Sequence, residues 1–348
     1  MKIMWKIALT MLTALAAILP GGGRAEPTEA SVSCGAWIVY WDAERGLDEM
    51  VALDPLPDRL IAFEALFDTD GTVILESGSE ALLSDMQRRF PAERIWLSVV
   101  NDLKRPEGGY ANKDRQLLRE LMMTPEAREA HIRELVSLAQ RWQLKGLEID
   151  YENIRSDTEI WEGYTVFLQD LHAALVQRGV ALRVCLEWDS IRYADLPRGP
   201  QYSIMCYNLY GSHSGPGPKA DRSFLERVAE LYQGRDDCAM ALATGGFDWL
   251  DDRVERGLTE KEADGIFRSR NLRPTRDPDS GVLYGSYLQD GQTHTVWYAD
   301  AETLWGWMEI LQEYGFTKFD LFRLGGNTAA DWNEVILSHQ APEGGGQP

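Results

Sequence analysis

Cysteine is scarce in this chain, with Cys34, Cys185, Cys206 and Cys238 the only four among 348 residues. Four thiols cannot staple a chain of this length into a disulfide scaffold, and none stands at metal-ligand spacing. Cys185 and Cys206 fall inside apolar runs, where a thiol packs as a small hydrophobe. Cys34 and Cys238 each precede a strand-like run, so in an oxidising compartment they are the pair that could bridge one end of the fold. Histidine is nearly as rare, with five residues and no metal spacing, and no cofactor or metal is expected. Basic residues are outnumbered: 35 Lys and Arg face 55 Asp and Glu, a formal charge of −20. That deficit argues against nucleic acid and anionic membrane surfaces as partners, both of which need basic patches, and suits a neutral or cationic polymer.

Long apolar runs are also missing, apart from one. Residues 7–19 are apolar, Lys2 and Lys6 precede them, and Gly23-Arg24-Ala25 follows with small residues where a signal peptidase tests. Residues 1–25 are therefore expected to be a signal peptide cleaved near Ala25, giving a secreted or periplasmic protein. The run is short for a bilayer and no second one follows, so no membrane insertion is expected after cleavage. Residues 26–34 read as a spacer, 35–340 as one folded domain and 341–348 as a frayed tail; the domain is expected to be a monomer.

Within that domain, the stretch around which the chain is organised is Leu144-Lys145-Gly146-Leu147-Glu148-Ile149-Asp150-Tyr151-Glu152-Asn153. Side chains alternate across a strand, so Glu148, Asp150 and Glu152 share one face and Leu147, Ile149 and Tyr151 the other. Helical patterns flank it. Before it, Thr124 caps and Pro125 opens a run with Ile132, Leu135, Val136 and Ala139 at helical spacing; after it come Tyr164, Phe167, Leu168, Leu171 and Leu175, stopped by Gly179. A strand between two helices belongs to a parallel sheet buried on both faces. Desolvation and mutual repulsion in such a column raise carboxyl pKa values, which is how an acid keeps its proton near neutral pH.

The same alternation repeats along the chain. Strand patterns fall at 35–41, 60–64, 94–100, 181–188, 202–207, 239–244 and 318–324, with helical patterns between most of them. Residues 251–299 break the period with a charged helical piece and two alternating runs joined at Asp290-Gly291, a β-hairpin inserted between strands seven and eight. Eight strand-helix units make an α/β (β/α)8 TIM barrel with a small hairpin-containing insertion, and such barrels place their chemistry at the C-terminal ends of the strands.

Three separated motifs resemble one family. Gly146-Leu147-Glu148-Ile149-Asp150-Tyr151-Glu152 resembles the DxxDxDxE fourth-strand signature of glycoside hydrolase family 18, the chitinase-like family. Met205-Cys206-Tyr207-Asn208 with the loop Ser214-Gly215-Pro216-Gly217-Pro218 resembles its sixth strand. Val296-Trp297-Tyr298-Ala299-Asp300-Ala301 and Leu321-Phe322-Arg323-Leu324-Gly325-Gly326 resemble its last helix and eighth strand. The resemblance runs from about Trp37 to Trp332 and is nearest the bacterial branch of spore-germination and peptidoglycan-active N-acetylglucosaminidases.

The resemblance implies hydrolysis of β-linked N-acetylglucosamine polysaccharide, with retention, by substrate-assisted catalysis: one protein carboxyl is the acid and the substrate's acetamido oxygen attacks the anomeric carbon, an exception to the two-carboxylate scheme. It makes Glu152 the general acid, Asp150 the partner of the acetamido group and Tyr207 a donor to its oxygen. Glu148, Asn208, Met205 and Asn101 are candidate substrate contacts, and Phe322 stands where the family places the aromatic floor under the cleaved sugar, usually Trp. Lys145 replaces the first Asp of the signature and Glu148 the second. Trp41, Trp188 and Trp249 sit at strand ends, where each either stacks on a sugar or packs in the core. The alternative function is a chitinase-like lectin that keeps the groove without turnover. A hard-cation site on the three acids is a third reading, weakened by the lack of partners on neighbouring strands.

Overall fold

The computed structural model describes residues 32–328. The expected signal peptide, most of the spacer, and the chain from 329 onward, including Trp332 and the tail at 341–348, lie outside the described residues. Eight parallel strands close on themselves: β1 (Ser33–Val39), β2 (Arg59–Phe67), β3 (Ile95–Lys104), β4 (Gly146–Asp150), β5 (Ala181–Glu187), β6 (Gln201–Met205), β7 (Cys238–Ala243) and β8 (Lys318–Phe322) pair in chain order, and β8 pairs back to β1. This is the expected (β/α)8 barrel.

The helices lie outside: α1 (Ala43–Val51), α2 (Ser77–Arg89), α3 (Arg115–Met122), α4 (Pro125–Arg141), α5 (Thr158–Val176) and α6 (Arg222–Tyr232), then α7 (Glu260–Ser269) in the insertion and α8 (Ala301–Glu313) after it. After β5 only a single 3₁₀ turn, Ser190–Arg192, intervenes before β6. Both helices beside β4 form as their sequences dictate. Thr124 Oγ1 accepts from the Ala127 N–H at 3.2 Å and Pro125 begins α4, while Tyr164, Phe167, Leu168, Leu171 and Leu175 of α5 are all buried against the sheet.

The interior of the barrel is polar at its N-terminal end and apolar above. Register sets Glu148 directly opposite Arg183, and Arg183 ion-pairs with Glu148 and, at 2.7 Å, with Asp320. Trp37 Nε1 donates to Glu148 at 2.7 Å, Ser203 donates to Asp320 at 2.7 Å, and Arg59 reaches Asp320 at 3.2 Å. Trp37 and Trp96 flank the Arg183 guanidinium at 5.0 and 5.7 Å. Trp96 also explains Gly146, since a Cβ there would lie 2.1 Å from the indole. Above this network Ile61, Cys185 and Ala241 pack with the two tryptophans, and Phe63, Tyr207 and Phe322 rest on them. The bore is thus a filled core.

The insertion is larger than a hairpin. Five antiparallel strands form a second sheet with α7 packed on it. The hairpin Leu283–Gln289 with Gln292–Ala299 turns at Asp290-Gly291 as expected, but the sheet begins at Gly245–Leu250, six residues before 251. Close approach is the reason: Gly245 has φ +59, and a Cβ on Gly246 would lie 1.7 Å from the Trp297 carbonyl oxygen, so this dipeptide lets the chain leave the barrel and pair at once. The Cys34–Cys238 bridge is not made, and all four thiols are free. Strand β8 runs between β1 and β7, pairing Cys34 with Phe319 and Phe319 with Met240. Two strand spacings, about 9–10 Å, exceed the reach of a disulfide.

Candidate active site

Strand β4 ends at Asp150, and the alternation continues past it. Tyr151 turns outward, buried with its hydroxyl 2.7 Å from His131 Nε2 of α4, so Asp150 and Glu152 turn toward the barrel mouth. There they line a cavity of about 230 Å³ with Met205, Tyr207, Asn208, Phe322, Trp37, Phe63, Cys185 and Lys113. The Tyr207 ring stacks on Phe322, centroids 6.0 Å apart and planes at 16°. Burial pushes the Tyr207 phenol well above its usual range, with nearby anionic groups adding to it. Its hydroxyl therefore stays a proton donor.

Asn101 on β3 does not line this cavity. It clamps the backbone of Glu152 instead, accepting from its N–H at 3.0 Å and donating to its carbonyl oxygen at 3.1 Å. The candidate acid is thereby fixed from a neighbouring strand just beyond the end of its own. Glu148 is also out of reach, completely buried two residues deeper with its carboxylate engaged by Trp37 and Arg183. Its place as a substrate contact is corrected to that of a core ion-pair partner. Trp249 is fully buried against Phe247 in the insertion sheet, and Trp188 packs on Phe224 beneath Arg155 and Arg192. For these two the packing alternative holds. Trp41 is 54% exposed, edge-on to Phe63, and lines an adjoining cavity.

The acidic column is not left to repel itself. Lys113, from the loop after β3, sets its ammonium 2.9 Å from Glu152 Oε1, 3.6 Å from Asp150 Oδ2 and 3.9 Å from Asp102 Oδ1. Asp102 holds this loop through the Lys113 N–H at 2.8 Å, and the Lys113 carbonyl accepts from Asn153 at 3.1 Å. The ammonium occupies the ground a cation would take beside these carboxylates.

Burial pushes the Asp150 carboxyl up to about 7, opposed by Lys113 and reinforced by Glu152 and Glu148. Burial likewise pushes Glu64, at the mouth end of β2, up to about 8. At Asp150 desolvation outweighs the charge repulsion within the column. One oxygen of Asp150, Oδ1, is buried without a hydrogen-bond partner among the described residues. A buried acceptor of this kind costs about 1–3 kcal/mol unless a ligand satisfies it.

Sequence reasoning missed Lys113, Trp37, Phe63 and Cys185. The last three are apolar members of strands whose inward face could have been read from alternation. Lys113 gave no signal, being one lysine in a polar loop.

No family model matches the chain. It is similar to an uncharacterized glycosylase of Bacillus subtilis, YvbX, with 20% identity over 290 residues, 77% of this chain and 81% of that one. Among solved structures it resembles the Bacillus cereus spore cortex-lytic enzyme SleL, with TM-score 0.72 and 16% identity over 90% of this chain and 75% of that one. It also resembles a class V chitinase of Nicotiana tobaccum solved in complex with NAG4, with TM-score 0.70 and 13% identity over 89% of this chain and 99% of that one. At these identities the two solved structures share the fold of this chain.

Proposed function

We propose that the chain is a glycoside hydrolase acting on N-acetylglucosamine-containing polysaccharide by substrate-assisted catalysis. The observation that carries this reading is the buried, unpartnered Oδ1 of Asp150 in the same cavity as Glu152 and Tyr207. A 2-acetamido sugar supplies what that atom lacks: its N–H donates to Asp150, which turns its carbonyl oxygen toward the anomeric carbon. Tyr207 donates its hydroxyl to that oxygen, and the stacked Phe322 carries the sugar face.

In the reaction Glu152 gives its proton to the glycosidic oxygen as the bond from that oxygen to the anomeric carbon breaks. The acetamido oxygen forms the new bond, and the positive charge spreads onto the acetamido group beside Asp150. Water then adds from the face the leaving group vacated, giving its proton to Glu152 and restoring the configuration. Orientation of the acetamido group makes the attack intramolecular, and preorganised charges at the anomeric centre do the rest. The named relative, a glycosylase, and the fold neighbours support this reading. The proposal includes export, motivated by the apolar run at residues 7–19 behind Lys2 and Lys6.

A lectin reading has one observation in its favour, the ion pair that ties Glu152 to Lys113. The two separate on Glu152→Gln, assayed with chitin oligosaccharides and peptidoglycan strands. The hydrolase reading expects the wild type to release reducing ends and the variant to lose about 10²–10⁴-fold in kcat while still binding. A wild type that binds as well as the variant and releases nothing decides for the lectin.

A further inference from the structure

Beside the first cavity lies a second, of about 310 Å³, between the barrel mouth and the insertion sheet, walled by Trp41, Phe247 and Phe322. Phe322 is common to both. A saccharide unit in one cavity therefore has a neighbouring unit within reach of the other.

Their charges differ. The first cavity gathers carboxylates, whereas Lys219 and Arg323 line the second against a single acidic side chain, Glu262. Glu262 is engaged elsewhere, accepting from the Thr259 N–H at 2.9 Å and facing Arg45 at 3.4 Å. Arg323 is paired with Asp42 at 2.7 Å. Lys219 meets no carboxylate among the described residues. Its Nζ donates to the Thr244 carbonyl oxygen at 2.7 Å and lies 5.2 Å from the Phe247 ring. Burial, with Arg323 close by, pushes its pKa down to about 7, as befits an ammonium without a counter-charge. A chain with twenty excess negative charges has left a cation unneutralised beside its candidate active site.

We propose that this cavity binds a carboxylate-bearing sugar unit adjoining the N-acetylglucosamine in the first cavity, with Lys219 the residue that reads its charge. The inference rests on the hydrolase reading of the first cavity and narrows its substrate to an acidic heteropolymer. The aromatic walls accept the sugar ring, and the carboxylate replaces the missing partner of Lys219. Charge-assisted hydrogen bonds of this kind contribute more than neutral ones.

Equilibrium binding separates this inference from the reaction itself. Wild type, Lys219→Met and Lys219→Arg are titrated at pH 6 with neutral N-acetylglucosamine oligomers, with peptide-free peptidoglycan strands, and with the same strands after reduction of their carboxyl groups to alcohols. The expected result is that Lys219→Met weakens the acidic strand relative to the neutral oligomer by about 10–100-fold. Lys219→Arg should recover most of this, and the carboxyl-reduced strand should bind the wild type as weakly as the native strand binds Lys219→Met. An unchanged ratio in Lys219→Met, or undiminished binding of the reduced strand, overturns the proposal. Release of reducing ends is recorded in parallel. Cleavage without charge discrimination removes this inference and leaves the hydrolase standing, while charge-dependent binding without cleavage does the reverse.

Discussion

Replacing Lys113 by Met removes one ammonium from three carboxylates and leaves the loop backbone with the same side-chain constraints. At an effective dielectric near 20, unit charges about 4 Å apart interact by about 4 kcal/mol. The contacts to Glu152, Asp150 and Asp102 span 2.9 to 3.9 Å with the lysine about a quarter exposed, so about 2–3 kcal/mol of favourable energy remains after screening. At 1.36 kcal/mol per unit, that raises the Asp150 pKa by about 1–2 units from its value of about 7. The raised Asp150 pKa means that this carboxyl holds more proton in the folded chain than in the unfolded one between pH about 4 and about 7, so its contribution to stability falls as pH rises through that window. Lys113→Met should extend the fall to about pH 8–9. Unfolding in urea at pH 5 and at pH 8 should show a penalty that is small at the lower pH and about 2–3 kcal/mol at the higher. The acidic limb of kcat/KM should also move up by about 1–2 pH units, since Asp150 takes up its proton at a higher pH and a protonated Asp150 no longer sets a negative charge beside the acetamido group. Equal destabilisation at both pH values together with an unshifted limb would refute the electrostatic role given to Lys113.

Two further outcomes follow from the packing around the site. Asn101→Leu removes both hydrogen bonds to the Glu152 backbone, and kcat should fall about 10–100-fold with KM little changed, because a displaced acid harms the reaction more than binding. Initial rates over a range of oligosaccharide concentrations check this, and a loss confined to KM argues against a positioning role. Arg183→Met leaves Glu148 and Asp320 buried without their shared cation, at a cost of about 3–5 kcal/mol. Denaturant unfolding measures it, and a change under 1 kcal/mol would mean the network is dispensable.

The sequence was most legible where one periodicity ran uninterrupted. The cap at Thr124, the buried face of α5 and the column from Glu148 to Glu152 all follow from local pattern, and the barrel follows from their repetition. What pattern could not supply was depth along a strand. Glu148, Asp150 and Glu152 share a face, yet they lie respectively within the core, at the cavity and just past the strand end, because each step of two residues climbs about 7 Å along the barrel. Nor did alternation reveal that Arg183, on the neighbouring strand, would meet Glu148 inside the bore. The extent of the second sheet was hidden for a different reason: its first strand follows β7 with one residue between, so Gly245 to Trp249 read as the end of the seventh strand. Net charge, too, says nothing of any one cavity. A total of −20 favours neutral or cationic polymers on average, while the second cavity is lined by Lys219, which meets no carboxylate among the described residues.

The salt-bridged plug formed by Arg183, Glu148 and Asp320 turns the barrel into a blind pit. On the proposed reading, a polysaccharide cannot thread through such a pit, so it lies across the rim and presents its linkage sideways.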